Sequence, residues 1–154
     1  MTISPEEVFE TVRMTLDHHF DIRTVTLSLN LRDCMDRNVD RLSRRIHKRI
    51  LENGKQLNAL ADEIEQKYGI PITNRRIAVT PVAMLLEPLP NKEDAAVEIA
   101  RALDDGAKKA GIDFVGGFGA LVQKGHTPAD TALIEAIPKA LAGTRRLCGF
   151  LNLA

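Results

Sequence analysis

The sequence predicts an α/β fold in which helices alternate with mostly parallel strands, and two observations carry this prediction. Residues 4–7 (Ser-Pro-Glu-Glu) and 127–130 (Thr-Pro-Ala-Asp) have the cap, proline and acid that typically begin a helix. Short runs rich in β-branched and apolar residues stand between the helical segments and are typical of strands. Because a helix separates each strand from the next, we expect parallel pairing with right-handed crossovers.

The first helix and the first strand are predicted from two different periodicities. Apolar residues at helical spacing follow the cap at Ser4 and continue to about His18, with His19 on the same stripe. Residues 21–31 then alternate polar and apolar side chains, which indicates a strand.

A long helix follows. Its apolar stripe runs through residues 42–68, and either Asp33 or Asp36 is placed to cap it. Gly54 interrupts the stripe and predicts a kink or a break, because glycine lowers helix stability by about 1 kcal/mol relative to alanine. Gly69 is the expected end of the helix.

The second strand and the third helix come next. Residues 72–80 predict the strand. Residues 82–89 are apolar but lie among prolines, so we expect a packed connection with at most a short helical turn. Asn91 is the predicted cap of a helix that ends at Gly111.

The last third of the chain contains a glycine-rich stretch. Residues 112–115 predict a buried strand. We expect this strand to end in a turn at residues 116–119 (Gly-Gly-Phe-Gly). Such a turn indicates either a packing corner or a loop against which a ligand lies. A helix over residues 127–143, kinked at Pro138, and a strand over residues 145–153 complete the order.

Composition excludes several classes of function. The 154 residues fit one α/β domain over residues 1–154, and 21 basic residues balance 21 acidic ones. This charge balance and the low aromatic content of 4% argue against a nucleic-acid-binding protein. The basic residues at 44–49 are expected to form a solvent-exposed helix face. No signal peptide or membrane-spanning run is recognisable. Two cysteines are too few for a disulfide framework, so we expect a cytoplasmic protein with free thiols.

Candidate catalytic residues are the two cysteines, Cys34 and Cys148. In parallel α/β folds, sites lie at the carboxyl ends of strands, and we place both thiols there. At the start of a helix, the pKa of Cys34 would fall and its thiolate would become the nucleophile. The alternative is structural, because a lone cysteine is most often a small buried hydrophobe, and Cys148, within a strand, is expected more often in a core than in a site. Asp33 and Asp36 flank Cys34 as candidate ligand-binding residues. No histidine stands at ligand spacing to this group, so we predict no metal and no cofactor.

The glycine-rich stretch supplies the other candidate ligand-binding residues. Gly116 and Gly117 would let a ligand approach the backbone, and Gln123 and Lys124 could bind an anion. The stretch is not a phosphate-binding P-loop, because Gly125 follows Lys124 where that motif requires serine or threonine.

Several stretches resemble one known family, the bacterial and archaeal proteins labelled "PFL family protein", meaning pyruvate formate-lyase-like. The resemblance is carried by residues 20–26, 33–36, 69–81 and 111–125 and by the segment around Cys148, with 111–125 the most specific. It implies a fold related to the α/β barrel of glycyl-radical enzymes, of which this chain would be the N-terminal part. The chain has no Arg-x-x-Gly-Tyr-like radical loop.

The resemblance implies no established reaction, so two functions stay open. One is an enzyme that uses a cysteine on a small metabolite; the other is a non-catalytic metabolite-binding or regulatory protein. The family resemblance also implies an ACT-domain protein as a partner. An exposed sheet edge in a partial barrel favours a homo-oligomer or packing against a further part of the protein.

Overall fold

The computed structural model describes residues 4–18 and 21–153, and it contains the predicted alternation of helices and strands. His19 and Phe20 lie outside the described residues. The elements in chain order are α1 (Pro5–Leu16), β1 (Ile22–Leu29), a 3-10 turn (Arg32–Cys34), α2 (Val39–Tyr68), β2 (Ile72–Val79), α3 (Ala83–Leu86), α4 (Lys92–Ala110), β3 (Phe114–Leu121), α5 (Pro128–Ala142) and β4 (Leu147–Asn152).

The strands form one parallel sheet in the order β1-β2-β3-β4, which confirms the predicted fold class. Helices α2, α4 and α5 pack side by side and contact the sheet. The core lies between these helices and the sheet, where Ile77, Val115 and Phe118 are fully buried. Within the described residues, no helix has both the length and the apolarity needed to cross a membrane.

The predicted N-terminal caps are present at two helices. Ser4 and Glu7 form a reciprocal capping box at α1, and Thr127 and Asp130 form the same arrangement at α5. Each box satisfies backbone N–H groups that would otherwise have no partner at the helix start. Helix α5 continues through Pro138 to its end.

The cap of α2 is Asn38, so the prediction of Asp33 or Asp36 was wrong. After β1 the chain first makes the 3-10 turn, which delays the start of the helix. The side chain of Asn38 then accepts the N–H of Arg41 at 3.0 Å, while Asp36 accepts the N–H of Asn38 at 2.9 Å.

Helix α2 passes Gly54 without a break, as one helix of 30 residues. A Cβ atom at Gly54 would lie 2.6 Å from Cβ of Ala110 and 2.9 Å from Cγ1 of Ile112. The glycine therefore allows α2 to approach the end of α4 closely, and that packing offsets its low helix propensity.

The glycine-rich stretch belongs to strand β3, so the predicted break at residues 116–119 was wrong. Pairing with β4 continues to Leu121, and a β-bulge lies between Gly116 and Phe118. Gly117 has φ of +111°, and a Cβ atom there would lie 2.3 Å from the carbonyl oxygen of Val79. The glycines thus provide a bulge and a close backbone approach within a continuous strand.

Candidate functional site

One face of the sheet carries the helices and the other is left uncovered by the described residues. Side chains alternate between the two faces along each strand. Strand register then assigns the following strand residues to the uncovered side, called here the open face: Ile22, Thr24, Thr26, Ser28, Ile72, Asn74, Arg76, Ala78, Phe114, Gly116, Gly119, Leu121, Cys148, Phe150 and Asn152.

A row of small side chains crosses the open face. Ser28 pairs with Ala78, Ala78 with Gly116, and Gly116 with Cys148, so the four residues lie at one level on four neighbouring strands. A Cβ atom added to Gly116 would meet no atom within 4 Å. The row therefore forms a floor of small side chains, called here the floor, with free space above Gly116.

Arg76 stands one level toward the amino ends of the strands and is the only charged residue of the open face as defined. Its guanidinium carbon lies 5.8 Å from the ring centroid of Phe114, its register partner on β3. Arg76 forms no ion pair with any described residue. The site thus has one positive charge next to the floor of small residues.

Phe150 bounds the floor toward the carboxyl ends of the strands. A Cβ atom at Gly119 would lie 2.1 Å from the carbonyl oxygen of Phe150 and 2.4 Å from its ring. Gly119 therefore lets β4 and the Phe150 ring approach β3 closely.

Cys148 is the second residue of β4, so it lies near the amino end of that strand and the prediction of a carboxyl-end position was wrong. Its thiol is free and exposed, and Sγ lies 4.0 Å from the carbonyl oxygen of Arg146. The structure places Cys148 beside Gly116 on the open face.

Cys34 lies in a different environment from Cys148. It is buried against α2, with Sγ 3.7 Å from Oδ1 of Asp33. Burial and then the neighbouring Asp33 carboxylate raise the pKa of the Cys34 thiol, so the expected fall in its pKa was wrong. It follows β1 whereas Cys148 lies on β4, and three strand spacings separate these strands by roughly 14 Å.

Asp33 and Asp36 stay with Cys34 and are neutralised by arginines of α2. Asp33 forms an ion pair with Arg49. Asp36 lies 2.8 Å from Arg41 and 3.5 Å from Arg45. The hydrogen bond from Arg41 and the N–H of Asn38 lower the pKa of Asp36 to about 2.

Gln123 and Lys124 lie in the exposed loop that follows β3. A backbone bridge joins Gln123 to Gly125, and the N–H of Gly125 donates to Val122 at 3.1 Å. The structure therefore brings Gly116 and Cys148 together, groups Asp33, Asp36 and Cys34 elsewhere, and leaves this loop apart from the Gly116 row. In the described part of the chain, no three acidic, cysteine or histidine side chains are grouped so that they could hold a metal.

Comparison with known proteins identifies the family. The family model described as "Uncharacterised ACR (DUF711)" matches residues 13–154. The chain belongs to the DUF711 family. It is 49% identical to a UPF0210 protein of Methanococcoides burtonii, 46% to one of Syntrophotalea carbinolica and 45% to one of a Thermoanaerobacter species. Each of these matches covers all of this chain and 34% of the relative, so the chain spans about a third of the length of the curated relatives it matches.

In this DUF711 chain, sequence reasoning missed Arg76 as a site residue. Arg75 and Arg76 are adjacent and look equivalent in the sequence. Arg75 lies on the helix side, where it pairs with Asp62 at 2.5 Å and with Glu65 at 3.2 Å of α2. Strict alternation along β2 was the available signal, because it sends two successive arginines to opposite faces of the sheet.

Proposed function

We propose that the open face binds a small anionic metabolite and that Cys148 is a reactive thiol beside it. One observation carries the proposal: the floor of small residues ends at the exposed thiol of Cys148, with Arg76 next to that floor. A guanidinium binds carboxylate or phosphate oxygens through paired hydrogen bonds. Free space above Gly116 leaves room for the rest of such a molecule.

The thiol gives this site a reaction class. A cysteine thiolate is a nucleophile toward carbonyl carbon, and a positive charge nearby favours an anionic substrate. With the carboxylate at Arg76, an adjacent carbonyl carbon would lie over the floor near Cys148. The proposed chemistry is addition of the Cys148 thiolate to that carbonyl carbon: a C–S bond forms, the π bond of the carbonyl breaks, and the oxygen takes up a proton from solvent to give a thiohemiacetal or thiohemiketal.

The architecture supports a barrel related to that of pyruvate formate-lyase-like proteins. Parallel strands in consecutive order, with their helices layered on one side, are the arrangement of part of a (βα) barrel. We propose that residues 1–154 are one α/β unit, the N-terminal portion of a longer family architecture, in which the open face would point to the barrel interior. The DUF711 relatives, about three times as long, are consistent with this.

Partners and location are part of the same proposal. Exposed apolar side chains cluster at and after β4 (Phe150, Leu151 and Leu153), which favours self-association or packing against further strands. An ACT-domain protein remains the proposed regulatory partner. Two free thiols support a cytoplasmic location.

A second function, metabolite binding without catalysis, is favoured by one observation. The residues that define the open face include no carboxylate and no imidazole, the side chains that most often transfer protons in enzymes. A binding or regulatory role needs only Arg76 and the floor. Turnover of the bound acid would distinguish the enzyme from the binding protein.

A charge-selective alkylation experiment tests the site directly. Iodoacetate carries a carboxylate and iodoacetamide does not, so the ratio of their rates at Cys148 reports the influence of Arg76. We expect the substitution Arg76→Gln to lower this ratio several-fold, whereas Arg23→Gln, an exposed arginine of the same sheet, leaves it unchanged.

Protection is the second readout. Pyruvate or inorganic phosphate at millimolar concentration should slow alkylation of Cys148 in the unsubstituted chain and not in the R76Q variant, with mass spectrometry identifying the modified cysteine. An unchanged rate ratio in R76Q, together with no protection by either anion, would refute the proposed site.

A further inference from the structure

A second polar groove lies on the helix side of the sheet, between α2 and α4. Each helix contributes four residues at helical spacing to the groove. The four residues form a stripe along each helix, and the two stripes face each other across the groove. The groove has a volume of about 440 Å³ and is lined by Asp40, Ser43, Arg44 and His47 of α2 and by Glu98, Arg101, Ala102 and Asp105 of α4.

One contact defines how the two stripes are aligned. Nε2 of His47 lies 3.0 Å from Oδ2 of Asp105, and Lys109 lies 2.7 Å from the same oxygen. Both helices run from the carboxyl ends of the strands toward the amino ends. Arg44 precedes His47 by about one helical turn, and Arg101 precedes Asp105 by about one turn. Arg44 and Arg101 therefore lie opposite each other across the groove, at the same height along the two helices.

A further turn back brings Asp40 to the level of Glu98. The groove thus has a pair of guanidinium groups next to a pair of carboxylates, one helical turn of about 5.4 Å apart. Although Asp40 precedes Arg44 by four residues and Glu98 precedes Arg101 by three, no hydrogen bond or ion pair joins these four side chains to any described residue.

Ser43 provides an independent observation in the same groove. Only 8% of its surface is exposed, and its hydroxyl oxygen has no hydrogen-bond partner. A buried hydroxyl without a partner is unfavourable, and such groups are rare in folded proteins. Ser43 is one of the residues that line the groove, and rotation about χ1 would be the movement that brings its buried hydroxyl to a molecule bound there.

We propose that this groove binds a small zwitterion, namely a free α-amino acid. Its carboxylate would lie between Arg44 and Arg101 and accept a hydrogen bond from the Ser43 hydroxyl. Its ammonium group would lie between Asp40 and Glu98. The equal numbers of unpaired positive and negative side chains favour a zwitterion over a simple anion, and the site is separate from Arg76 and Cys148 on the opposite face.

The twenty proteinogenic L-amino acids, added one at a time to the 154-residue chain at 10 mM, test the inference. Thermal unfolding identifies the amino acid that raises Tm most, and calorimetry then gives its Kd. We expect at least one saturable binder, with the N-acetyl and amide derivatives of that amino acid binding at least tenfold more weakly. Inorganic phosphate is the control anion.

Three variants of groove residues and one control variant locate the site. Arg44→Gln and Arg101→Gln should each weaken binding at least tenfold, whereas Lys108→Ala, on the exposed side of α4, should leave Kd unchanged. Ser43→Ala should raise Tm without ligand, because it removes the unpaired hydroxyl, and should reduce the shift that the amino acid causes. Absence of any Tm shift, or a shift retained in R44Q and R101Q, or equal binding of phosphate, would overturn the inference.

Discussion

The two faces of the sheet differ in chemistry as much as in burial. On the helix side, Ile77, Val115 and Phe118 have no exposed surface and pack beneath three helices. On the open face, Arg76 and Cys148 are exposed and stand next to a floor of small side chains. The same four strands thus supply a packed core on one side and an exposed arginine and an exposed free thiol on the other.

This difference separates residues needed for stability from those available for function. Burial of apolar surface stabilises the fold by about 25 cal/mol per Å², and nearly all of it lies on the helix side. Substitutions on the open face should therefore change reactivity more than stability. The two cysteines show the same division, because Cys34 belongs to the core and Cys148 does not.

The largest expected change in the free energy of unfolding comes from a comparison of two adjacent glycines. Gly117→Ala should destabilise the protein by about 4 kcal/mol or prevent folding, because φ of +111° and the Val79 carbonyl oxygen at 2.3 Å exclude a Cβ atom. Gly116→Ala should change stability by no more than about 0.5 kcal/mol, since its Cβ would point into open space. Urea denaturation followed by circular dichroism measures both, and equal losses would contradict the two-face description.

Two phenylalanines allow the next comparison. Phe118→Ala should cost about 3–5 kcal/mol, because the ring is fully buried in the core. Phe150→Ala should cost about 1 kcal/mol, because Phe150 is 36% exposed, with its ring close to Gly119. Denaturation midpoints at constant m-value provide the measurement. A larger loss at Phe150 would mean that the open face is covered in solution.

The alkylation rates of the two cysteines compare the core with the open face in the unsubstituted protein. Neutral iodoacetamide should modify Cys34 on the order of 100-fold more slowly than Cys148, because only 3% of Cys34 is exposed and the pKa of its thiol is raised. Peptide mapping over time measures both rates. In a Cys148→Ser variant, the fast phase should disappear and the slow one should remain; a fast phase that persists would place a reactive thiol at Cys34.

The smallest effect concerns the acid cluster beside Cys34. The pKa of Asp36, held at about 2 mainly by Arg41, should return toward its ordinary value of 3.8 in the Arg41→Gln variant. Because the folded pKa is lowered, the Asp36 carboxylate stabilises the protein above about pH 4 and loses that contribution as pH falls toward 2. NMR titration of the carboxyl carbon measures the shift, and an unchanged pKa in R41Q would mean that Arg41 is not its cause.

Local sequence predicted most of the fold because its signals act within a few residues. The capping boxes at Ser4 and Thr127, the helical end at Gly69 and the alternating strand residues each depend on neighbouring backbone. Errors occurred where distant segments decide the outcome. The 3-10 turn moved the α2 cap to Asn38, and pairing with β4 kept the glycine-rich stretch in a strand.

The candidate site was only partly predictable for the same reason. Gly116 and Cys148 were chosen separately from the sequence, and register makes them neighbours. Cys34 was a candidate nucleophile because of its position near a helix start, with a buried structural cysteine as the alternative, and burial raises its pKa. Arg76 could not be separated from Arg75 until the partners of Arg75 on α2 were known.

The sequence by itself determined the order and type of the elements, the family and the absence of a charge bias. The tertiary structure alone decided which face of the sheet each side chain occupies in space and which residues from distant segments share that face. Side-chain periodicity and helix caps depend on residues that are close in the sequence. The exposure of a side chain, the pKa of a titratable group and the residues that surround a thiol depend on atoms from distant parts of the chain.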